Sequence, residues 1–257
     1  MDRFSLEGQI AIVTGASRGI GRAIALAFAE AGADVAVLGR TEGRLRDVAG
    51  EIEARGRRGL PLPCDASDAD AVRAAVDRAR EALGTVDILV NNAGAAPFRS
   101  EVMDTRLEGF EKYLRINFLS ALYGIQAVGP LLLEKGSGCV LNVASIAGVA
   151  GEPGIAYYGT AKAAMINLTK TVALEWARLG VRVNALAPGW VATDINAQLR
   201  EDPERYRRAV EGVPMGRFGT VDEIAPAAVF LCSPAASFIT GAVLTLDGGQ
   251  TASTGYR

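Results

Sequence analysis

Histidine is absent from this 257-residue chain, which removes the commonest biological proton shuttle and metal ligand. Cysteine is scarce: Cys64, Cys139 and Cys232 stand far apart, without metal-ligand spacing. A zinc site would need several carboxylates instead, so no metal is expected, and the thiols read as small buried hydrophobes. A cysteine nucleophile would lack its usual base. Neither charge sign is in excess, with 27 Lys and Arg against 29 Asp and Glu and no extended basic run. No nucleic-acid partner is expected. Apolar runs stay well below the ~18 residues of a membrane span, so none is expected. MDRFSLEGQIAIVTG lacks the apolar stretch and cleavage site of a signal peptide. A cytoplasmic protein is the expectation.

What is present is alternation. Hydrophobic content of 49% continues without a composition break, which suits one domain over residues 1–257. Strands are expected near 9–14, 34–39, 60–64, 87–91, 139–143, 181–187 and 242–246. Most are continuous apolar runs, as in strands buried on both faces, and alanine-rich helical stretches separate them. The expected fold is α/β: a doubly wound, seven-stranded parallel sheet with helices on both faces, three layers αβα. A helix over about 155–179 starts after Pro153 and stops at Gly180, with an apolar stripe from Ala161 to Leu179. A second, over about 106–128, carries Asn117 on its apolar stripe. That amide is either a core group satisfied by backbone or a polar group aimed at a site.

Three local patterns carry chemistry. Thr14-Gly15-Ala16-Ser17-Arg18-Gly19-Ile20-Gly21 follows the first strand and opens a helix. Strand, glycine turn and helix in that order aim free backbone N–H groups at a phosphate, the Rossmann-type arrangement. The spacing is G-x-x-x-G-x-G, a variant of the commoner G-x-G-x-x-G. At the end of the second strand, where an acidic residue would select NAD, stands Arg40, with Arg18 projecting from the turn. Two guanidinium groups suit a ribose 2′-phosphate, so NADP(H) is favoured and NAD(H) remains possible. Third, Tyr158 and Lys162 lie four residues apart on one helix face. A cation beside a phenol whose pKa is ordinarily ~10 favours the phenolate. Without histidine, this pair is the best acid–base candidate.

Together the patterns resemble the short-chain dehydrogenase/reductase family, in its simple single-domain branch, over nearly the whole chain. The resemblance rests on TGASRGIG at 14–21, Asp65, Asn91-Asn92-Ala93-Gly94, Asn117, Ser145, Tyr158 with Lys162, Pro188-Gly189 with Thr193, and FITGAVLTLDGG at 238–249. It implies that Tyr158 transfers the proton, Lys162 lowers its pKa and holds the nicotinamide ribose, and Ser145 orients the substrate oxygen. It also implies a water relay through Asn117, which decides that residue in favour of function. Asp65 would contact adenine. Asn91, Ala93 and Gly94 would pack around the adenosine, and Val191 and Thr193 would hold the carboxamide.

The long polar connection over about 190–216 reads as a substrate loop. Phe98, Val149, Trp190, Ile195, Leu199 and Met215 are candidate apolar liners, whereas Arg99 could meet an anionic group but reads first as a solvated loop residue. The first expectation is a 3-oxoacyl-(acyl-carrier-protein) reductase-like enzyme, with an acyl thioester among its expected substrates. A sugar, polyol or other secondary-alcohol dehydrogenase is the alternative, and a cofactor-binding regulatory or scaffold protein is the alternative of another class. The resemblance implies a homotetramer, with Trp176 and the closing GYR as plausible interface elements.

Overall fold

Runs of Val, Ile, Leu and Ala without polar alternation are satisfied as strands covered on both faces. The computed structural model describes residues 3–95 and 99–252. Its first strand, β1 (Ile10–Thr14), is buried at every position. β2 (Asp34–Gly39), β3 (Gly59–Pro63), β4 (Ile88–Asn91), β5 (Gly138–Val143), β6 (Val181–Pro188) and β7 (Val243–Leu246) complete one sheet, ordered β3-β2-β1-β4-β5-β6-β7. Every pairing is parallel. Strand order reverses between β1 and β4. Their carboxyl ends diverge there and leave the crevice in which such sheets bind ligands.

Helices α1 (Gly19–Glu30), α2 (Glu42–Glu53) and α9 (Val221–Cys232) pack on one face, around Ile24, Phe28, Leu45, Ile52 and Leu231. Helices α3 (Ala69–Leu83), α5 (Ser120–Lys135) and α6 (Ala156–Trp176) cover the other, around Val76, Ile125, Leu132 and Val172. Burying each such large side chain contributes about 1.5–3 kcal/mol. The three thiols are buried and free.

The helix expected over 106–128 differs from the observed one. It is α4 (Leu107–Leu114), a π turn at Arg115–Leu119, then α5, running on to Lys135. Pro130, which reads as a stop, is tolerated because Gln126, whose carbonyl loses its partner, is exposed. The π turn adds one residue and shifts the helical phase, so that Asn117 is fully buried in the middle. Leu107–Lys135 has the length and composition of a membrane span, but its inner face packs on β4, β5 and α3.

Helix α6 ends at Trp176 and a 3₁₀ turn (Ala177–Leu179) follows, which rotates Leu179 off the stripe to 50% exposure. The expected substrate loop contains two helices, α7 (Ala197–Glu201) and α8 (Pro203–Glu211). Asp202 caps α8 by accepting from Glu204 N (3.1 Å) and Arg205 N (3.0 Å). The ends of this excursion are tied together: Ala192 N donates to Gly219 O (2.8 Å) and Gly219 N to Trp190 O (2.9 Å). Trp190 stacks on Phe218 at 5.0 Å, and Tyr206 of α8 lies on the same ring at 5.0 Å.

Candidate active site

The crevice begins at the glycine turn, whose shape is held from behind. The Thr14 hydroxyl donates to Val90 O (3.2 Å) and accepts from Asn92 N and Ala93 N, both at 3.0 Å, which locks β1 to β4. Asn92 Nδ2 donates to Thr14 O (3.0 Å) and Gly15 O (3.2 Å). A Cβ on Gly15 would lie 2.9 Å from Ala93 Cα, and one on Gly21 would lie 2.3 Å from Asn92 Nδ2. The chain therefore needs glycine at both positions. Helix α1 starts without a side-chain cap at Arg18 and without an acidic residue in its first turn. Its orphan N–H groups suit an anion.

From this turn a cleft of about 1000 Å³ runs across the sheet edge. Gly15, Ser17, Gly19 and Ile20 line its phosphate end, and Arg18, Arg40 and Asp65 line the end beside β2. Asp65 accepts from Ser67 N (2.9 Å) and Ser67 Oγ (2.7 Å). Those hydrogen bonds, with a smaller contribution from the Arg40 charge, lower its pKa. Asp68 provides the α3 cap, which leaves Asp65 on the cleft wall. The middle is walled by Ala93, Gly94, Pro188, Gly189, Val191 and Thr193.

Asn117, Ser145, Tyr158, Lys162 and Trp190 line the far end. Ser145 follows β5 in extended backbone and accepts from Ala147 N (3.2 Å). Its hydroxyl is near enough to the Tyr158 phenol to act on its pKa. Two glycines permit this meeting. A Cβ on Gly148 would lie 2.5 Å from Lys162 C, and one on Gly159 would lie 2.9 Å from Ala147 O. The turn after Ser145 thus packs backbone to backbone on α6. Lys162 is buried, its Nζ donating to Val143 O (2.9 Å) and lying 5.8 Å from the Tyr158 ring centroid.

Electrostatics depart from the simple expectation for this pair. Burial raises the Tyr158 pKa, with the nearby Ser145 hydroxyl opposing it. Burial also lowers Lys162 to about 8. Desolvation disfavours both charged forms, and in the protein alone it outweighs the attraction expected to lower the phenol. Lys162 is left able to gain or lose a proton near physiological pH.

Other sequence expectations shift. Asn91 does not face the cleft: its Nδ2 donates to Asn142 Oδ1 (2.9 Å), and a Cβ on Gly124 would meet its Oδ1 at 2.4 Å. It joins a buried chain through Asn142 Nδ2 to Thr169 Oγ1 (2.8 Å), because a polar side chain on a central strand must find partners inside. Thr14 and Gly21 support the turn without lining the cleft. Val149 and Met215, at 51% and 70% exposure, also lie off it, while Ile195 and Leu199 do line it. Phe98 and the closing GYR fall outside the described residues. Asn117 Oδ1 accepts from Ala95 N (3.0 Å) and its Nδ2 donates to Tyr113 O (3.3 Å), so both amide atoms are engaged by backbone. Tyr157 is buried, edge-on to Tyr113 at 4.6 Å.

Sequence reasoning passed over Asn92 as a brace, Gly148 and Gly159 as close-approach points, and the outer cleft wall. There Arg99 donates to Glu152 Oε1 (2.6 Å) and Pro153 O (2.9 Å), and Ser100 N donates to Gly154 O (2.8 Å). These bonds stitch the segment after β4 to the loop between Ser145 and Tyr158.

An anion-ready helix start at the switch point of a parallel sheet, facing half-buried Tyr158 and Ser145 beside buried Lys162, defines a dinucleotide-dependent oxidoreductase. Residues 15–251 match the family model described as enoyl-(acyl carrier protein) reductase. Galactitol 2-dehydrogenase (L-tagatose-forming) of Cereibacter sphaeroides is 40% identical over 250 residues, 96% of this chain and 97% of that protein. A 3-oxoacyl-[acyl-carrier-protein] reductase of a Synechocystis strain is 38% identical, covering 96% and 98%. The crystal structure of a Burkholderia cenocepacia gluconate 5-dehydrogenase with NADP and tartrate superposes with a TM-score of 0.93 at 35% identity, covering 98% and 99%. The chain belongs to the short-chain dehydrogenase/reductase family, and it is an enzyme acting on alcohol and carbonyl groups with a nicotinamide cofactor.

Proposed function

We propose that this enzyme is an NADP(H)-dependent dehydrogenase of polyhydroxylated secondary alcohols. The expectation that ranked a 3-oxoacyl thioester reductase first gives way to its alternative, since relatives acting on galactitol and gluconate stand beside the 3-oxoacyl reductase. The observation that carries the reading is the polarity of the outer cleft. Arg99, Glu152, Gln198 and Arg205 line it. Charged and amide side chains on a cleft wall suit a hydroxyl-bearing substrate better than an acyl chain.

The phosphate end fits the cofactor because the Gly15 cradle admits no Cβ and α1 is uncapped. Arg18 and Arg40 would hold a 2′-phosphate, and solved relatives carrying NADP support that choice. The bound nicotinamide supplies or accepts the hydride. The Tyr158 phenol gives its proton to the substrate oxygen in reduction and takes one in oxidation. Ser145, on the same end of the cleft as Tyr158, orients that oxygen. Lys162, held by Val143 O, would meet the nicotinamide ribose and exchange protons behind Tyr158. Asn117 acts as a positioning residue: it fixes Ala95 and the Gly94 turn, where an added Cβ would sit 2.8 Å from its Oδ1 and 3.8 Å from Lys162 Nζ.

Turnover of hexitols, aldonates, ketoses and β-ketoacyl thioesters with both cofactors tests the reading. Higher kcat/KM on thioesters overturns it, and NADP(H) binding without turnover of any carbonyl would point to a regulatory protein. A homotetramer is expected in solution, in keeping with the exposed Leu174 on α6 and Phe238 before β7. Light scattering showing a monomer at micromolar concentration refutes it.

A further inference from the structure

Charge on the cleft wall does not follow the charge of the chain. The protein is net −2. Yet, setting aside Arg18, Arg40 and the buried Lys162, the wall carries Arg99, Lys112, Arg115 and Arg205 against only Glu152 and Asp194 beyond the Asp65 end. Helix α8 shows how selective this is. Of its three arginines, Arg207 pairs with Glu211 at 2.8 Å and Arg208 pairs with Glu204, four residues away in each case. Neither lines the cleft. Arg205 lines it and makes no ion pair among the described residues. Its segment is anchored by Tyr206 on the Phe218–Trp190 stack, so Arg205 is presented from a fixed helix. Arg99, which also lines the cleft, is positioned by Glu152 and Pro153 O, on the loop that separates Ser145 from Tyr158.

We infer that Arg205, with Arg99, forms a carboxylate-recognising subsite, and that the substrate class is hydroxy acids: secondary alcohols bearing an anionic group away from the reacting carbon. A guanidinium without an internal partner, beside a partly enclosed cleft, gains most from a ligand carboxylate through charge-assisted hydrogen bonds. The inference rests on the dehydrogenase reading above and deepens it from hydroxylated to anionic substrates. Arg99 is already half-neutralised by Glu152, which gives Arg205 the larger share of recognition.

The test compares matched pairs that differ only in charge: gluconate against glucitol, and 4-oxocyclohexanecarboxylate against its methyl ester. Wild-type kcat/KM should favour the anion of each pair by about tenfold or more. Arg205→Gln should lower kcat/KM on the anion about ten- to a hundredfold, mainly through KM, and leave the neutral partner unchanged. Arg205→Lys should recover part of the loss, and raised ionic strength should increase KM for the anion alone. NADPH affinity, read by fluorescence, should not move in either variant, which separates this role from phosphate binding. Equal losses on charged and neutral partners, or a neutral preference in wild type, overturn the inference. Turnover of the cyclohexane pair without the sugar pair would overturn the polyol reading, and the anion inference would then stand or fall on the cyclohexane pair alone.

Discussion

Lys162 should destabilise the fold it serves. Its amino group is buried, donates a hydrogen bond to Val143 O, and titrates at about 8 instead of 10.5. At ~1.4 kcal/mol for each tenfold change in proton affinity, that depression is a penalty of about 3 kcal/mol on the charged native state. Lys162→Met keeps an unbranched chain of similar volume and removes the charge. The variant loses the bond to Val143 O, worth about 1–2 kcal/mol. The net expectation is a cofactor-free variant more stable by about 1–2 kcal/mol at pH 7, a Tm rise of about 2–8 °C for a chain of this size. The pH dependence is diagnostic. Because the native pKa lies below the unfolded one, the penalty is fully present below pH 8 and disappears as pH rises towards 10.5. Wild type and variant should therefore converge over that window. Urea midpoints at fixed protein concentration, taken at pH 7, 8, 9 and 9.5, measure the gap, while turnover of the variant should be nearly abolished. A variant less stable than wild type at pH 7, or a gap that ignores pH, refutes the argument.

Tyr158→Phe should lower kcat by about 10²–10⁴-fold with NADPH binding by fluorescence intact; full activity would sink the mechanism. Arg40→Asp should reduce kcat/KM for NADPH at least about tenfold and raise relative use of NADH. An unchanged cofactor ratio would show that the residue is solvated. Gly94→Ala forces a Cβ to 2.8 Å from Asn117 Oδ1 and should cut activity while leaving far-UV circular dichroism unchanged. Activity equal to wild type would remove Asn117 from the positioning role.

The architecture was largely legible because buried parallel strands are apolar without interruption, and each expected strand lies within one residue of the observed limits. The glycine turn was legible for a similar reason, since its order on the chain dictates its place on the sheet. What stayed hidden depends on phase and partnership. A π turn is invisible to a 3.6-residue template, so the surroundings of Asn117 could not be read. Asn91 carries the same amide as Asn92 one residue on, and only strand alternation sends one into the core and leaves the other at the turn. The run LREDPERYRRAVEG looked uniformly charged. Its i,i+4 spacings were readable, but Glu201–Arg205 is one of them, and only the break between α7 and α8 leaves Arg205 without that partner. The direction of the Tyr158 shift required knowing how deeply the pair is buried.

The clasp between Trp190 and Gly219 bears on how this enzyme could change over generations. Two backbone hydrogen bonds and a stacked ring pair already bring the ends of the excursion together. The segment between them is therefore a closed loop whose ends do not depend on its contents. Doubling the length of such a loop costs only ~0.6 kcal/mol of closure entropy. Insertions and charge swaps between residues 193 and 212 can be sampled without endangering the sheet, which makes this stretch the natural place for new substrate preferences to arise on an old scaffold.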